Sequence, residues 1–231
     1  MSDEKKKTGS GTFKLGVFLC VIGAISAGLL AGVDALTRKP IKRAELRKTS
    51  DALKEVLPAF DNVPAEEKTT VESPSGRKVV FYAAKKGGKL VGIAGEGYSP
   101  KGFAGKIYVM VGLDVAGTVR VVIVTRQNET PGLGTVVTDR VREKTVFDLF
   151  GGGKKEAGLP PNKVLDSFDG LTAAVSGKPW KVKKDGGRID FVTGATISSR
   201  AVTDAVYDVA IAFSKNKAEI LKRFGYAPPS Q

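Results

Sequence analysis

Ten residues near the C-terminal end, "DFVTGATISS" from Asp190 to Ser199, gather hydroxyl side chains on a short small-residue turn: Thr193, Thr196, Ser198 and Ser199. Hydroxyls in such a setting serve as helix caps, phosphate partners or nucleophiles. A nucleophile needs a base, and the chain of 231 residues has no histidine, the side chain that most often plays that part. The sequence that follows is strongly helical, so the hydroxyls stand at a helix start. Two readings are open there: a serine that caps the helix, or an anion site made by free N–H groups and the positive end of the helix dipole. Gly194 and Ala195 leave room beside the backbone for a bulky group.

A second segment with chemical potential is "ETPGLG", Glu129 to Gly134, directly after a strongly apolar run. Pro131 and Gly132 set up a tight turn, and Gly134 is free to take positive φ. Leu133 is then pushed outward as an apolar contact. Such a loop offers backbone N–H groups and one flat apolar contact to a planar ligand; it is equally a plain strand-to-helix turn.

Composition removes several classes of function. A single cysteine, Cys20, and no histidine leave no intrachain disulfide, no cysteine-held cluster and no zinc site, so no metal centre is expected. The formal charge of +13 suits a polyanionic partner. Its basic residues are scattered, however, without interleaved aromatics or a recognition motif, and nucleic acid is not expected as a ligand. "GGGKKEAG" at 151–158 lacks the spacing and the Ser or Thr of a phosphate loop, and "GIAGEG" at 92–97 has the wrong spacing for a dinucleotide fingerprint and reads as a bulged strand.

The elements that must position these residues begin with a membrane anchor. "LGVFLCVIGAISAGLLAGV", Leu15 to Val33, runs for 19 residues without a charge, about 28 Å as a helix, close to the thickness of a bilayer's hydrocarbon core. It is longer than the core of a cleavable signal peptide, about 7 to 15 residues. "RAELRKTSDALKEVLPAF" predicts a helix that stops near Pro58. "RKVVFYAAKK", "KLVGIAGEGYS", "KIYVMVGLDV" and "GTVRVVIVTRQ" predict strands, with a hairpin turn at Ala116 and Gly117. A short helix is expected over Asp139–Phe150, a loop over Gly151–Pro161, and a strand in "GKPWKVKK". The final helix carries Val202, Val206, Val209 and Phe213 on one face, with Arg200, Asp204 and Asp208 directed elsewhere. Strands followed by a terminal helix predict an α+β fold, a largely antiparallel sheet flanked by helices.

The stretch from Asp190 to Thr196 resembles the signature modified by flavin transferases, in which an acidic residue precedes by six positions the last threonine of a Ser/Thr-Gly-Ala-Thr element. With "ETPGLG" upstream, "GEGYSPKGFAGKIYVMVGLD" between them and one N-terminal span, the chain resembles the RnfG family, flavin-bearing components of Rnf-type ion-translocating electron transport complexes. The NqrC component of the sodium-pumping NADH:quinone oxidoreductase is that family's relative. The resemblance implies FMN joined covalently through its phosphate to Thr196, by a separate flavin transferase that takes FMN from FAD. Asp190, Thr193, Gly194 and Ala195 would be the rest of that signature. Ser198 and Ser199 would help at the phosphate, and Glu129, Thr130, Gly132 and Leu133 would lie by the flavin ring. Trp180 would stack on the ring or fill the core, the latter favoured. The implied organisation is a short cytoplasmic tail at 1–14, a transmembrane helix at 15–33, a connecting helix at 34–60 and an extracytoplasmic FMN-binding domain at 61–231. The implied protein is a single-pass component of the bacterial inner membrane. It would relay electrons among the complex's other membrane subunits; the alternatives are the NqrC component of the sodium-pumping quinone oxidoreductase or a stand-alone carrier in the same fold.

Overall fold

Runs of valine, isoleucine and aromatic residues, punctuated by glycine, fold as strands because branched side chains pack well on a pleated surface. The computed structural model describes residues 4–140, 158–174 and 177–226. Five strands, β1 (Lys68–Glu72), β2 (Lys78–Lys86), β3 (Lys89–Gly102), β4 (Gly105–Leu113) and β5 (Val119–Arg126), form one antiparallel sheet in the order of the chain. The expected hairpin closes β4 onto β5: Asp114 N donates to Thr118 O and Thr118 N to Asp114 Oδ1. The bulge expected within 92–97 is displaced: Gly92 to Glu96 pair with β2 in regular register, and the shift falls between Ala84 and Lys85, opposite the step from Gly92 to Leu90.

The helices are α1 (Glu4–Val56), α2 (Gly134–Thr138), α3 (Lys163–Asp166) and α4 (Thr196–Arg223). In α1, Phe13–Arg38 is long and apolar enough to cross a membrane, and it is the one such helix among the described residues. The helix expected before Pro58 is the C-terminal part of α1, which continues through Pro40. Chain contacts divide the protein into residues 1–47 and residues 48–231. The strand expected in "GKPWKVKK" does not form. Val182 makes a single bridge with Ile189, and the chain then coils into a 3-10 turn at Lys183–Asp185, because "DGG" bends it back before a ladder can extend. The helix expected over Asp139–Phe150 lies outside the described residues beyond Arg140, and Asp139 and Arg140 are not helical.

The period-two alternation of the strands sorts side chains onto two faces. On one face Val79, Phe81, Ile93, Ile107, Val109 and Val111 are buried under Val202, Val206, Val209 and Phe213 of α4, with the Phe81 and Phe213 rings 5.8 Å apart. On the other, Tyr82, Ala94, Met110 and Ile123 are buried with Ala52, Leu53, Val56 and Leu57. Helix α4 comes close because β3 offers glycine where it crosses: a Cβ on Gly97 would lie 2.6 Å from Val209 Cγ2, and one on Gly95 would collide with Val209 Cγ1. Gly95→Ala is therefore expected to lower unfolding free energy by about 1–3 kcal/mol through overpacking. An unchanged urea midpoint would show that the α4 crossing yields without strain.

Charged groups fix the register of α4. Arg77, just before β2, lies 2.6 Å from Asp204 and 3.0 Å from Asp208. Lys101 and Ser99 also donate to Asp204, and Ser75 to Asp208. Asp204 and Asp208 leave the apolar face as expected, but Asp208 does not reach water: its side chain is 4% exposed. Its Oδ2 touches Arg77 as an ion pair only, since the Arg77 Nε hydrogen is directed to Ser75 Oγ, 2.7 Å away. At the outer edge of β5, Val119 exchanges bonds with Leu171 and Gly170, and the Arg140 guanidinium donates to the Val122 carbonyl from Nε and Nη2. Arg140 also bonds Pro160 O and pairs with Asp166.

Candidate functional site

The chain leaves β5 through "QNETPGLG", and the first anchored residue is Glu129, a carboxylate only 5% exposed. It accepts from the Ser198 hydroxyl at 2.5 Å and from Ala104 N at 3.2 Å, while its own N–H donates to Gln127 Oε1. One side chain thus ties together the loop after β5, the β3–β4 turn and the first turn of α4. Glu129→Ala leaves Ser198 Oγ and Ala104 N without their acceptor. The expected loss is about 1.5–3 kcal/mol, read as a lower urea midpoint with an unchanged slope.

The turn itself is built as the sequence implies, with one correction. Gly132 takes positive φ, at +75°, and its N–H donates to Thr135 Oγ1, while Thr130 O accepts from Leu133 N and Thr135 N. Gly134 does not take positive φ: it opens α2, and it is small because a Cβ there would press on Glu129, 2.7 Å from Oε2. Thr130 and Gly132 are exposed. Leu133 points outward, 51% exposed, one turn before Val136 at 50%.

In the second motif Thr193 and Gly194 form an exposed turn, Gly194 at φ +90°, and α4 begins at Thr196. A Cβ at Gly194 would meet Leu133 Cδ2 at 3.6 Å, so the two predicted motifs lie side by side. Ala195 occupies the cap position, and no side chain caps the helix. Ser198 and Ser199 are buried inside the first turn: Ser198 donates to Glu129, and Ser199 donates to Ala195 O while accepting from Val192 N. Their hydroxyls thus face protein partners, whereas Thr196 is half-buried with its hydroxyl toward a lysine. Asp190 is held by Lys183 at 2.7 Å, with Lys163 at 4.0 Å.

That lysine belongs to an element that sequence reasoning treated only as a turn. In the 3-10 turn "KKD", Lys184 Nζ reaches Thr196 Oγ1 at 3.5 Å, and Asp185 receives a two-pronged contact from Arg200, at 2.6 and 2.8 Å. The Arg200 hydrogen bonds hold the Asp185 carboxyl below its ordinary pKa. The signal was present as two lysines and an aspartate before a Gly-Gly bend, but pairing with a helix about a dozen residues on is a tertiary contact. Beyond this turn, a cleft of about 500 Å³ is lined by Trp180, Lys181, Arg188 and Ile189, among others. Trp180 packs against Phe168 and, edge to face, Tyr207, so its body belongs to the core and it still lines the cleft.

Around Thr196 the chain presents an accessible hydroxyl, a cation, open backbone at Gly194 and outward apolar side chains at Leu133, Val136 and Ile197, the last 48% exposed. Phe103, 67% exposed, sits in the β3–β4 turn that Ala104 ties to Glu129. Large apolar groups left in water near a built polar site mark a binding surface. Among the described residues no cluster of ligands suits a metal ion.

Comparison with known proteins matches two family descriptions. Residues 102–210 match an FMN-binding domain, and residues 6–56 match an RnfG N-terminal region. The chain is 33% identical to a Shewanella piezotolerans protein named as the G component of an ion-translocating oxidoreductase complex, over 90% of this chain and 92% of that one. Proteins named in the same way from Vibrio vulnificus and Cronobacter sakazakii are 32% and 34% identical, over 91% and 84% of this chain and 93% and 86% of theirs.

Proposed function

Because the chain belongs to the RnfG family of ion-translocating oxidoreductase complexes and contains its FMN-binding domain, we propose that it carries FMN covalently, as a phosphoester on Thr196. The observation that carries this reading is the contrast among the hydroxyls of one motif. Ser198 and Ser199 are buried and engaged, whereas Thr196 stands half-buried at the helix start and, among the described residues, its hydroxyl meets only a lysine.

The residues present fit such a group. Backbone N–H groups of the first turn of α4 and the positive end of its dipole favour a phosphate at Thr196. Gly194 keeps the approach open, and Leu133 and Ile197 offer apolar cover to a planar ring. Glu129 and Ser198 act from beneath, locking the "ETPGLG" loop to the helix so that Leu133 and Thr196 keep a fixed separation. When bound, FMN supplies the ability to take up and release electrons singly, chemistry that no side chain of this histidine-free chain provides.

Family membership and the apolar helix support the remaining assignments of this reading. Phe13–Arg38 anchors the protein as a single pass in the bacterial inner membrane, with the FMN-binding domain on the extracytoplasmic side. A covalent tether suits that side, where a dissociated flavin could not be replaced. The domain relays electrons between the redox centres of the other membrane subunits, and ion movement belongs to the assembled complex. A flavin transferase is its partner in maturation. The test is an intact mass of protein from its native host, with peptide mapping over Asp190–Arg200. One FMN phosphoryl increment on Thr196 is expected; a bare peptide from native material would end the proposal.

A further inference from the structure

The cations near Thr196 are not equivalent. Lys183 is committed to Asp190 at 2.7 Å, and Arg200 is committed to Asp185 through two bonds. Lys184 lies between them, exposed, and among the described residues no carboxylate comes within ion-pairing distance of it. Its ammonium instead reaches Thr196 Oγ1 at 3.5 Å, longer than a strong hydrogen bond, as a cation would be if it faced a larger anion attached to that oxygen.

We propose that Lys184 is the counter-charge of the flavin phosphate, held over Thr196 by the Asp185–Arg200 pair. The inference rests on the reading of Thr196 as the flavin acceptor. Attachment changes the charge at this point in a defined way. Thr196 Oγ1 forms a bond to the flavin-side phosphorus of FAD, the phosphoanhydride bond of FAD breaks, AMP leaves, and the hydroxyl proton goes to the transferase. The neutral hydroxyl is thereby replaced by a phosphodiester with one negative charge, beside a lysine that was already there.

The turn that presents Lys184 is fixed at both ends, so the ammonium does not have to be ordered when the phosphate arrives. Lys183 N donates to Ile189 O at 2.7 Å, and Asp185 N and Gly187 N both donate to Val182 O. On the other side, the planar guanidinium of Arg200 grips both oxygens of Asp185, a geometry that a lysine could not reproduce. Arg200 thus serves as a positioning residue, and Lys184 touches the phosphate.

The experiment uses the full chain in detergent, with FAD and a flavin transferase, and follows attachment by intact mass. Lys184→Gln should slow the initial rate by roughly tenfold, Lys184→Glu further, and Lys184→Arg should restore most of it. Added salt should slow the wild type more than Lys184→Gln, because the charge is exposed. Arg200→Gln should lower the rate while leaving the Lys184 charge in place. On fully loaded protein, the 31P chemical shift should differ between wild type and Lys184→Gln, a change that a role confined to transferase docking would not produce. Equal rates and equal 31P shifts with matching urea midpoints overturn the assignment of Lys184. If wild-type Thr196 itself acquires no flavin, the acceptor reading fails instead, and the two failures are distinguishable.

Discussion

Thr196→Val protein, made alongside the flavin transferase, is expected to emerge colourless, with no flavin fluorescence after denaturation and no FMN increment in its mass. Valine keeps the shape and branching of threonine and exchanges only its hydroxyl for a methyl, so at this half-buried position the fold should be indifferent. Thr196 makes no side-chain cap bond, and among the described residues its hydroxyl's hydrogen-bond partner is the exposed Lys184. The expected change in loading is from nearly complete to none, because a phosphoester cannot form without the oxygen. Ser199→Ala should retain flavin in full, since that hydroxyl is turned to Ala195 O inside the helix. Flavin persisting in Thr196→Val on a neighbouring serine would show that the accessible and buried hydroxyls of this turn exchange places in solution.

Arg77→Ala should produce the largest loss of stability. Removing the guanidinium leaves Asp208, 4% exposed, and Asp204, 25% exposed, without their shared cation. Breaking a buried pair from one side costs about 3–5 kcal/mol, a large part of the roughly 5–15 kcal/mol that holds an ordinary domain folded. A large fall in the urea midpoint is expected, followed by circular dichroism. A loss below about 0.5 kcal/mol, the usual range for a surface change, would mean that the pair is not formed.

The same network predicts the sign of a pH effect. Burial pushes the Asp204 carboxyl up, but hydrogen bonds from Lys101, Arg77 and Ser99 outweigh it and hold its pKa below the ordinary aspartate value. A depressed folded pKa gives stability that is present above the unfolded value and lost as pH falls through the folded one. Asp204→Asn should therefore be less stable at neutral pH and flatter than wild type in the acid limb below about pH 4. Parallel acid limbs would assign the acid sensitivity to other carboxylates.

Much of the fold could be read locally. β-branched runs gave the four longer strands, the uncharged stretch gave the apolar helix, and Val202, Val206, Val209 and Phe213 gave the buried face of α4. What escaped was set by distant partners. Asp208 looks like one more polar residue on an amphipathic helix until Arg77, more than a hundred residues earlier, is placed against it. Gly134 looks like a turn glycine until the Glu129 side chain fills the space where its Cβ would go. "GKPWKVKK" has the composition of a strand but finds no neighbour to pair with. At the site, the two motifs were visible and their proximity was implied by resemblance. The sequence did not reveal that Ser198 faces Glu129 or that Lys184 faces Thr196. Hydroxyl and lysine side chains carry no periodic signal that tells which way they turn.

Arg140 has a bearing on whether copies of this domain can join edge to edge. A sheet that ends in an open strand invites another chain to add to it. By donating to the Val122 carbonyl, while Gly170 and Leu171 occupy Val119, Arg140 and these two residues take up groups that a foreign strand would need. A guanidinium also brings a charge to the place where an incoming backbone would have to settle. The far edge of the sheet is β1, only five residues long, with the guanidinium of Arg223 bonded to Thr69. Both margins of the sheet thus resist intermolecular strand pairing, and the domain can crowd against its neighbours without fusing to them.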